Sequence, residues 1–322
     1  MRYSQAEKYE LIQLVEQSGM SVRKTLKELD IHPSTFYNWY NRYLDKGYEG
    51  LAPKKSKRRG FWNRIPDTQR AEVVELALDK PELSPRELAF HIQDSKGWFI
   101  SESSVYRILK AKGLITSPAY ILITADKEFK DKTTQINQMW QTDFSYFKVF
   151  GWGWYYLSTV MDDYSRFILS WNLSPTMRTE DAEQTIKLAL DFTGLSKEEA
   201  PKLLSDNGSS YISGQFKEFL KERGLAHIRG RPNHPQTQGK IERYHRSIKN
   251  VIKLENYFFP DQLEENIRQF VDHYNYHRYH ESLKNLTPAD VYFQRGEKIL
   301  RRRQKLKSKT VKLRRSLYEQ SK

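Results

Sequence analysis

The sequence predicts a mixed α/β domain preceded by two small all-α units, and three observations support this class. Up to about residue 115, apolar residues recur with the 3.6-residue period of amphipathic helices. From about residue 137 the period shortens to two, and aromatic and β-branched residues occupy the apolar positions. After three such strands, helical and strand patterns alternate, which is typical of α/β domains.

The first all-α unit covers residues 1–50 and has the pattern of three short helices. A tight turn at residues 30–32 separates the second helix from the third, which opens at Pro33 and carries Phe36, Trp39 and Tyr40. Short helices joined by a tight turn predict a helix-turn-helix, whose last helix fits the DNA major groove.

A second unit follows at residues 66–115. Ser103 starts its last helix, which turns Val105, Ile108 and Leu109 inward and leaves Arg107 and Lys110 free to face DNA. Residues 98–100 could form a small strand or wing. We interpret the unit as a second helix-turn-helix, and protein docking is the alternative for both units.

The α/β part begins with an antiparallel meander, and the element order that follows is that of a ribonuclease-H-like mixed sheet. We place this catalytic core at residues 137–294. The predicted elements in chain order are the strands 141–150, 154–161 and 166–173, a helix at 180–192, a strand at 202–205, a helix at 214–223 and a strand at 226–229.

The net charge of +14 is concentrated in two segments. Residues 53–64 carry six basic and no acidic side chains, and residues 295–322 carry twelve basic and two acidic ones. Blocks of like charge resist packing and can neutralise a polyanion such as DNA. We predict linkers at 51–65 and 116–136 and a basic C-terminal tail at 295–322, with a merely solubilising tail as the alternative. The first linker offers DNA the side chains of Lys54, Lys55, Lys57, Arg58 and Arg59.

Composition excludes several classes of site. The chain has no cysteine, which rules out disulfides and thiolate metal ligands. No stretch approaches the roughly 20 apolar residues of a membrane helix, and the chain opens on a polar helix pattern rather than on a signal peptide. We therefore predict no membrane association and a cytoplasmic location.

Three carboxylates are the candidate catalytic residues. Asp143 lies within the first strand, Asp206 ends the fourth, and Glu242 falls in the helix that begins after Pro235. In phosphoryl transfer on DNA the obstacle is negative charge in the transition state, and metal ions meet that need. Two Mg²⁺ about 4 Å apart can activate the attacking oxygen and stabilise the leaving one, and such hard cations bind carboxylate oxygens.

The segments TDFS around Asp143, DNGSSY from Asp206 and HPQTQGKIER up to Glu242 resemble the integrase catalytic core of bacterial insertion-sequence transposases, relatives of retroviral integrases. The resemblance spans about residues 137–293. It implies that the three carboxylates are the metal-binding DDE triad, which holds two Mg²⁺ per active site and accepts Mn²⁺ as a substitute. The helix-turn-helix units also fit single-chain members of that group.

The resemblance implies a bacterial, nucleoid-associated DNA transposase. Such an enzyme binds double-stranded DNA at the transposon ends, cleaves a phosphodiester, joins the 3′-hydroxyl end to target DNA, and works as a homo-oligomer assembled on DNA. Two rival functions remain open: a catalytically silent DNA-binding regulator derived from a transposase, and a nuclease that acts on RNA–DNA hybrids.

Basic residues on the Glu242 helix are candidate DNA contacts. Lys249 follows Glu242 by seven residues, about 700° of rotation, and so lies within about 20° of the same face. The resemblance implies that it contacts DNA near the scissile phosphate. Arg246 and Lys240 could also reach DNA, with Lys240 the weaker candidate because it lies on another face.

Two other clusters are interpreted as structural. Asp162 and Asp163 end the second strand, where a turn or a salt bridge is the favoured role. His273 and His277 have the spacing of a helical metal pair, but no third ligand accompanies them with the spacing of a zinc hydrolase.

Overall fold

The computed structural model describes residues 3–52, 61–115, 133–230 and 239–320. The chain divides into two compact units, residues 1–61 and 62–322. In the ranges just given, no helix is long and apolar enough to cross a bilayer. The predicted DNA contacts Lys54, Lys55, Lys57, Arg58 and Arg59 lie outside the described residues.

The first unit is built from three helices, as predicted, followed by a 3-10 turn at Gly47–Leu51. Ser4 starts the first helix with a capping box: its backbone N–H donates to the Glu7 carboxylate, and its hydroxyl accepts from the Glu7 backbone. The core contains Ile12, Leu26, Phe36, Trp39 and Leu51. The helices are α1 (Gln5–Gln17), α2 (Val22–Glu28) and α3 (Pro33–Lys46).

The second unit begins with three further helices, α4 (Asp67–Asp79), α5 (Pro85–Ser95) and α6 (Glu102–Ala111). Arg107 and Lys110 are exposed on α6, opposite its buried side chains, as predicted. The proposed strand at residues 98–100 is wrong. The backbone N–H and carbonyl of Phe99 bond instead to the side chains of Thr310 and Arg314, so no partner strand is required.

A five-stranded mixed sheet forms the centre of the second unit, with strand order β3-β2-β1-β4-β5. The first three strands form the predicted antiparallel meander, while β4 runs parallel to β1 and β5 runs parallel to β4. This topology confirms the ribonuclease-H-like fold. The strands are β1 (Met139–Val149), β2 (Gly153–Asp162), β3 (Ile168–Ser174), β4 (Lys202–Ser205) and β5 (Ala226–Arg229).

Helices cover both faces of the sheet. One apolar layer joins Trp140 and Val160 to helices α7 and α9, and the other joins Leu157 and Met161 to helices α10 and α11. The helices of this part are α7 (Thr179–Thr193), α8 (Ser209–Ile212), α9 (Gly214–Glu222), α10 (Gly239–Ile252), α11 (Pro260–Tyr276) and α12 (Pro288–Tyr292).

The segment predicted as a basic tail forms a 25-residue helix, α13 (Gly296–Gln320). One face of α13 packs on the second unit through Arg303, Thr310 and Arg314, each 5–6% exposed. The prediction that the basic segment does not pack is wrong for this face of α13. Packing is possible because the buried Arg303 and Arg314 side chains donate hydrogen bonds to oxygen atoms of the second unit. Arg303 Nε donates to Asp94 Oδ1 at 2.9 Å, and a second nitrogen donates to the Asn285 carbonyl at 2.8 Å.

Arg303 thereby joins three segments that are far apart in sequence. Asp94 ends α5, Asn285 precedes α12, and the guanidinium lies 4.8 Å from the ring centre of Phe90 on α5. Tyr279 adds a hydrogen bond of 3.2 Å to the same Asp94 carboxylate. Within residues 62–322, the α4–α6 helices are therefore tied to the C-terminal part of the α/β region.

Candidate active site

The parallel pairing of β1 with β4 determines where two of the three candidate carboxylates lie. Met139 pairs with Lys202, and Gln141 pairs with Leu204. Continuing that register by two residues places Asp206, which directly follows β4, beside Asp143. The two side chains therefore share the edge of the sheet at which β4 ends.

The third carboxylate, Glu242, is carried by α10, and a hydrogen-bond relay anchors the start of this helix to β1. The Ile241 backbone N–H donates to Gln141 Oε1 at 3.1 Å, and the Gln141 amide donates to Asp163 Oδ1 at 2.6 Å. Lys240 completes the relay with an ion pair of 2.7 Å to Asp163, which is 3% exposed. Glu242 is thus held on a helical turn that is fixed against the strand carrying Asp143.

His245 is a site residue that the sequence analysis missed. Its Nδ1 lies 3.2 Å from Asp143 Oδ2, and since a carboxylate oxygen only accepts, this nitrogen donates. The other oxygen of Asp143 accepts from the Phe144 backbone N–H at 2.8 Å. The available signal was spacing, because His245 lies almost one helical turn beyond Glu242.

The charge of Asp143 acts on both of the other carboxylates. Burial raises the pKa of Asp206, and the charge of Asp143 raises it further, although a hydrogen bond from the Gly208 N–H opposes the shift. Burial likewise raises the pKa of Glu242, again with a contribution from Asp143 and with Arg246 opposing. Negative charge is therefore concentrated at this edge.

Such an arrangement suits a divalent cation in its chemistry. All three groups are carboxylates, which are the ligands that Mg²⁺ prefers, and a bound cation would offset both the burial that chiefly raises the two pKa values and the smaller contribution of the Asp143 charge. In the part of the chain that the structure describes, however, no three acidic or histidine side chains stand close enough to share one ion.

The predicted basic residues of α10 fall into different environments. The Lys249 ammonium lies 4.6 Å from the ring centre of Tyr146, on the β1 side of the helix, and is half-buried. Arg246 is exposed. Lys240 is engaged by Asp163 and donates also to its backbone carbonyl at 2.9 Å.

The clusters interpreted as structural have structural contacts. Asp162 is fully buried and accepts hydrogen bonds from Ser165 and from the Asn137 backbone, and Asp163 forms the ion pair with Lys240. These are the turn and salt-bridge roles favoured from the sequence. The rings of His273 and His277 lie 6.0 Å apart, and the described residues add no third ligand.

The integrase core domain family matches residues 133–235, which include β1 to β5 and both aspartates, and a second family of the same description matches residues 223–288, which include Glu242. The chain contains an integrase core domain. Homeodomain-like families match residues 2–52 and 35–109. Helix-turn-helix domains of the DNA-binding type thus precede the integrase core domain.

Curated relatives include viral and bacterial proteins. The Gag-Pro-Pol polyprotein of Mason-Pfizer monkey virus is 32% identical over 117 residues, which are 36% of this chain and 6% of the polyprotein. The transposase InsK for insertion sequence element IS150 of Escherichia coli is 28% identical over 160 residues, which are 49% of this chain and 56% of that protein. The match therefore covers a small part of the polyprotein and about half of the transposase.

Solved structures with a similar core include the HTLV-2 integrase catalytic core domain in complex with magnesium. It is 20% identical, with a TM-score of 0.39, and the match covers 49% of this chain and 97% of that one. The simian T-cell lymphotropic virus intasome, solved with a PP2A regulatory subunit, is 16% identical with a TM-score of 0.44, and covers 68% of this chain and 74% of that one.

Proposed function

We propose that this protein is a DNA transposase that cleaves a phosphodiester at transposon ends and joins the 3′-hydroxyl to target DNA. The observation that supports the proposal is the register of the integrase-core sheet, which places Asp206 beside Asp143, together with the hydrogen bond that anchors the helix of Glu242 to β1. The relative of 28% identity that is named a transposase supports the same reaction class. Residues 1–50 and 66–115 serve as the DNA-binding units, and residues 137–294 form the catalytic core.

In the proposed site the three carboxylates hold divalent metal. Two Mg²⁺ bound there, or Mn²⁺ in their place, would supply activation of the attacking oxygen and stabilisation of the leaving oxygen. Asp143 contributes oxygens from within β1, Asp206 contributes them from the position directly after β4, and Glu242 contributes them from α10. Because the site uses no protein nucleophile, we expect no covalent protein–DNA intermediate.

The surrounding residues position these carboxylates and the DNA. The hydrogen bonds among Gln141, Asp163 and Lys240 fix the first turn of α10 against β1. They thereby fix the position of Glu242 relative to the sheet. His245 restrains the Asp143 side chain. Arg246 and Lys249 follow Glu242 on the same helix and contact the phosphates near the scissile bond.

The proposal is tested by incubating the full chain with labelled terminal DNA in Mg²⁺ and following nicked and joined products. We expect Glu242→Gln to bind duplex DNA like the wild type but to form neither product. Glu218→Gln, on the exposed side of α9, is the matched control and should retain both activities. Cleavage by Glu242→Gln at the wild-type rate would overturn the assignment.

The same assay separates the alternatives. A silent regulator derived from a transposase would bind the ends without metal-dependent cleavage by the wild-type chain. A nuclease acting on RNA–DNA hybrids would cleave a hybrid and leave duplex DNA unjoined. The proposal further implies a homo-oligomer assembled on two DNA ends and a nucleoid-associated location in the bacterial cytoplasm.

A further inference from the structure

We infer that the outer face of α13 is a binding site for the phosphate backbone of duplex DNA. The site consists of Lys298, Lys305, Lys309 and Lys312, which we call the lysine stripe. The inference rests on the proposed function for its biological setting, but the binding itself requires no chemistry at the carboxylates.

Helical geometry places the lysine stripe on one line. At 100° per residue, Lys305, Lys309 and Lys312 lie about 20°, 20° and 40° from the direction of Lys298. At a rise of 1.5 Å per residue, the four ammonium groups extend over about 21 Å of helix. All four side chains are exposed. The stripe is therefore a straight row of positive charge rather than a diffuse basic surface.

The opposite face of α13 is the packed one. Arg303, Thr310 and Arg314 lie about 120° to 160° from Lys298 and bond to Asp94, Phe99 and the Asn285 carbonyl. These contacts fix the helix to the rest of residues 62–322. A fixed helix presents its charges without the ordering entropy that a flexible tail loses on binding.

The charge of the lysine stripe is not neutralised within the described part of the molecule. Ion pairs on α13 involve Arg301 with Glu297, Arg303 with Asp94 and Arg315 with Glu319, whereas no described carboxylate lies at ion-pair distance from a stripe lysine. Lys298, Lys305 and Lys309 also line an open depression of about 630 Å³. Arg301, Arg302 and Glu297 also line this depression, so its positive charges outnumber its single negative charge. An excess of positive charge attracts counter-ions and favours a polyanionic partner.

The form of the surface favours duplex DNA among polyanions. A row about 21 Å long matches about six base pairs of a duplex, along which phosphates recur every 3.4 Å per strand. The stripe carries no aromatic side chain on which unpaired bases could stack, as single-strand sites require. An interfacial membrane helix needs a free apolar face, whereas the face opposite the stripe is occupied by protein contacts.

The test measures the affinity of the full chain for a duplex of arbitrary sequence in EDTA, across about 50 to 200 mM salt. The variant replaces all four stripe lysines by glutamine. Each phosphate contact contributes about 0.9 to the slope of log affinity against log salt, so we expect the slope to become shallower by about 3 to 4. The charge-matched control replaces Lys197, Lys202, Lys217 and Lys221, which are also exposed, by glutamine and should keep the wild-type slope.

Three further measurements make each outcome decisive. Replacing the four stripe lysines by arginine should restore the wild-type slope, and both stripe variants should retain the wild-type melting temperature. An unchanged slope in the glutamine variant, or an equal loss in the control, would overturn the inference. The slope measured in a Glu242→Gln background should equal that of the wild type, so failure of the catalytic proposal leaves this result intact.

Discussion

Nδ1 of His245 lies 3.2 Å from Oδ2 of Asp143, although the two residues are 102 positions apart in the chain. His245 is 6% exposed, and its Nε2 has no hydrogen-bond partner among the described residues. The hydrogen bond therefore restrains the side chain of Asp143, a proposed metal ligand. The imidazole ring of His245 is itself held in place because it is buried.

We expect His245→Ala to raise the Mg²⁺ concentration needed for half-maximal DNA cleavage about 10- to 100-fold, because residues that orient metal ligands typically contribute this much. His245→Asn retains a donor and should recover most of the affinity. The Mg²⁺-dependent rise in melting temperature provides a readout that does not depend on turnover. An identical Mg²⁺ dependence in the wild type and His245→Ala would refute a positioning role.

Replacing Arg303 should destabilise the second unit. Arg303→Met removes the buried partner of Asp94 and of the Asn285 carbonyl, and we expect a loss of about 3 kcal/mol in the free energy of unfolding. This loss is at the lower end of the range for breaking a buried ion pair because the Asp94 side chain is 28% exposed and partly solvated. Urea unfolding of the full chain measures the loss.

Arg301→Met is the control for that measurement. Arg301 is 77% exposed and pairs with an equally exposed Glu297, so its replacement should change stability by less than about 0.5 kcal/mol. Equal losses in the two variants would mean that helix propensity, and not the buried contact, determines the effect.

His280 should make the protein less stable toward acid. Burial first, and then the charges of Arg278, Arg166 and Arg86, lower the pKa of His280 to about 3 from its ordinary value of 6.5. Between pH 6.5 and 3, His280 is therefore protonated in the unfolded chain but not in the folded chain. The free energy of unfolding falls as the pH drops through this range. The slope contributed by one such group reaches about 1.4 kcal/mol per pH unit.

The measurement is the melting temperature between pH 7 and pH 5 for the wild type and His280→Gln. The variant should lose only the part of this pH dependence that His280 contributes, because burial also lowers the pKa values of His91, His227 and His273. His277→Gln, whose ring is 66% exposed, should retain it. A wild-type slope in His280→Gln would show that another group titrates in this range.

Lys249 should contribute to DNA joining rather than to folding. Its ammonium is held over the ring of Tyr146, which lies on the same strand as Asp143. We expect Lys249→Gln to lower the joining rate about tenfold, as for loss of one charged hydrogen bond to phosphate. Lys253→Gln removes an exposed charge four residues further along the chain and should have little effect. Equal effects of the two substitutions would argue against a specific contact.

Much of the fold followed from periodicity because local and tertiary preferences agree there. The strands of the sheet begin and end within two residues of their predicted limits, since their two-residue period and β-branched content reflect burial on the pleated sheet. The positions of Asp143 and Asp206 on β1 and after β4 followed from the same pattern.

The remaining features depend on distant partners. The buried face of α13 contains Arg303, Thr310 and Arg314, which a hydropathy pattern counts as solvent-facing. Their burial depends on hydrogen-bond partners about 200 residues earlier in the chain. His245 was missed for the same reason, because its role is defined by Asp143 and not by its neighbours in sequence.

Arg303 joins α13 to Asp94 on α5 and to the carbonyl of Asn285, and this three-way junction limits how the molecule can be divided into fragments. A piece trimmed to begin near residue 133 would leave the guanidinium without Asp94 and would bare the apolar ring of Tyr279 that faces Phe90. A minimal recombinant catalytic piece should therefore start near residue 62 and keep the polypeptide through residue 320, so that both ends of the junction are expressed together.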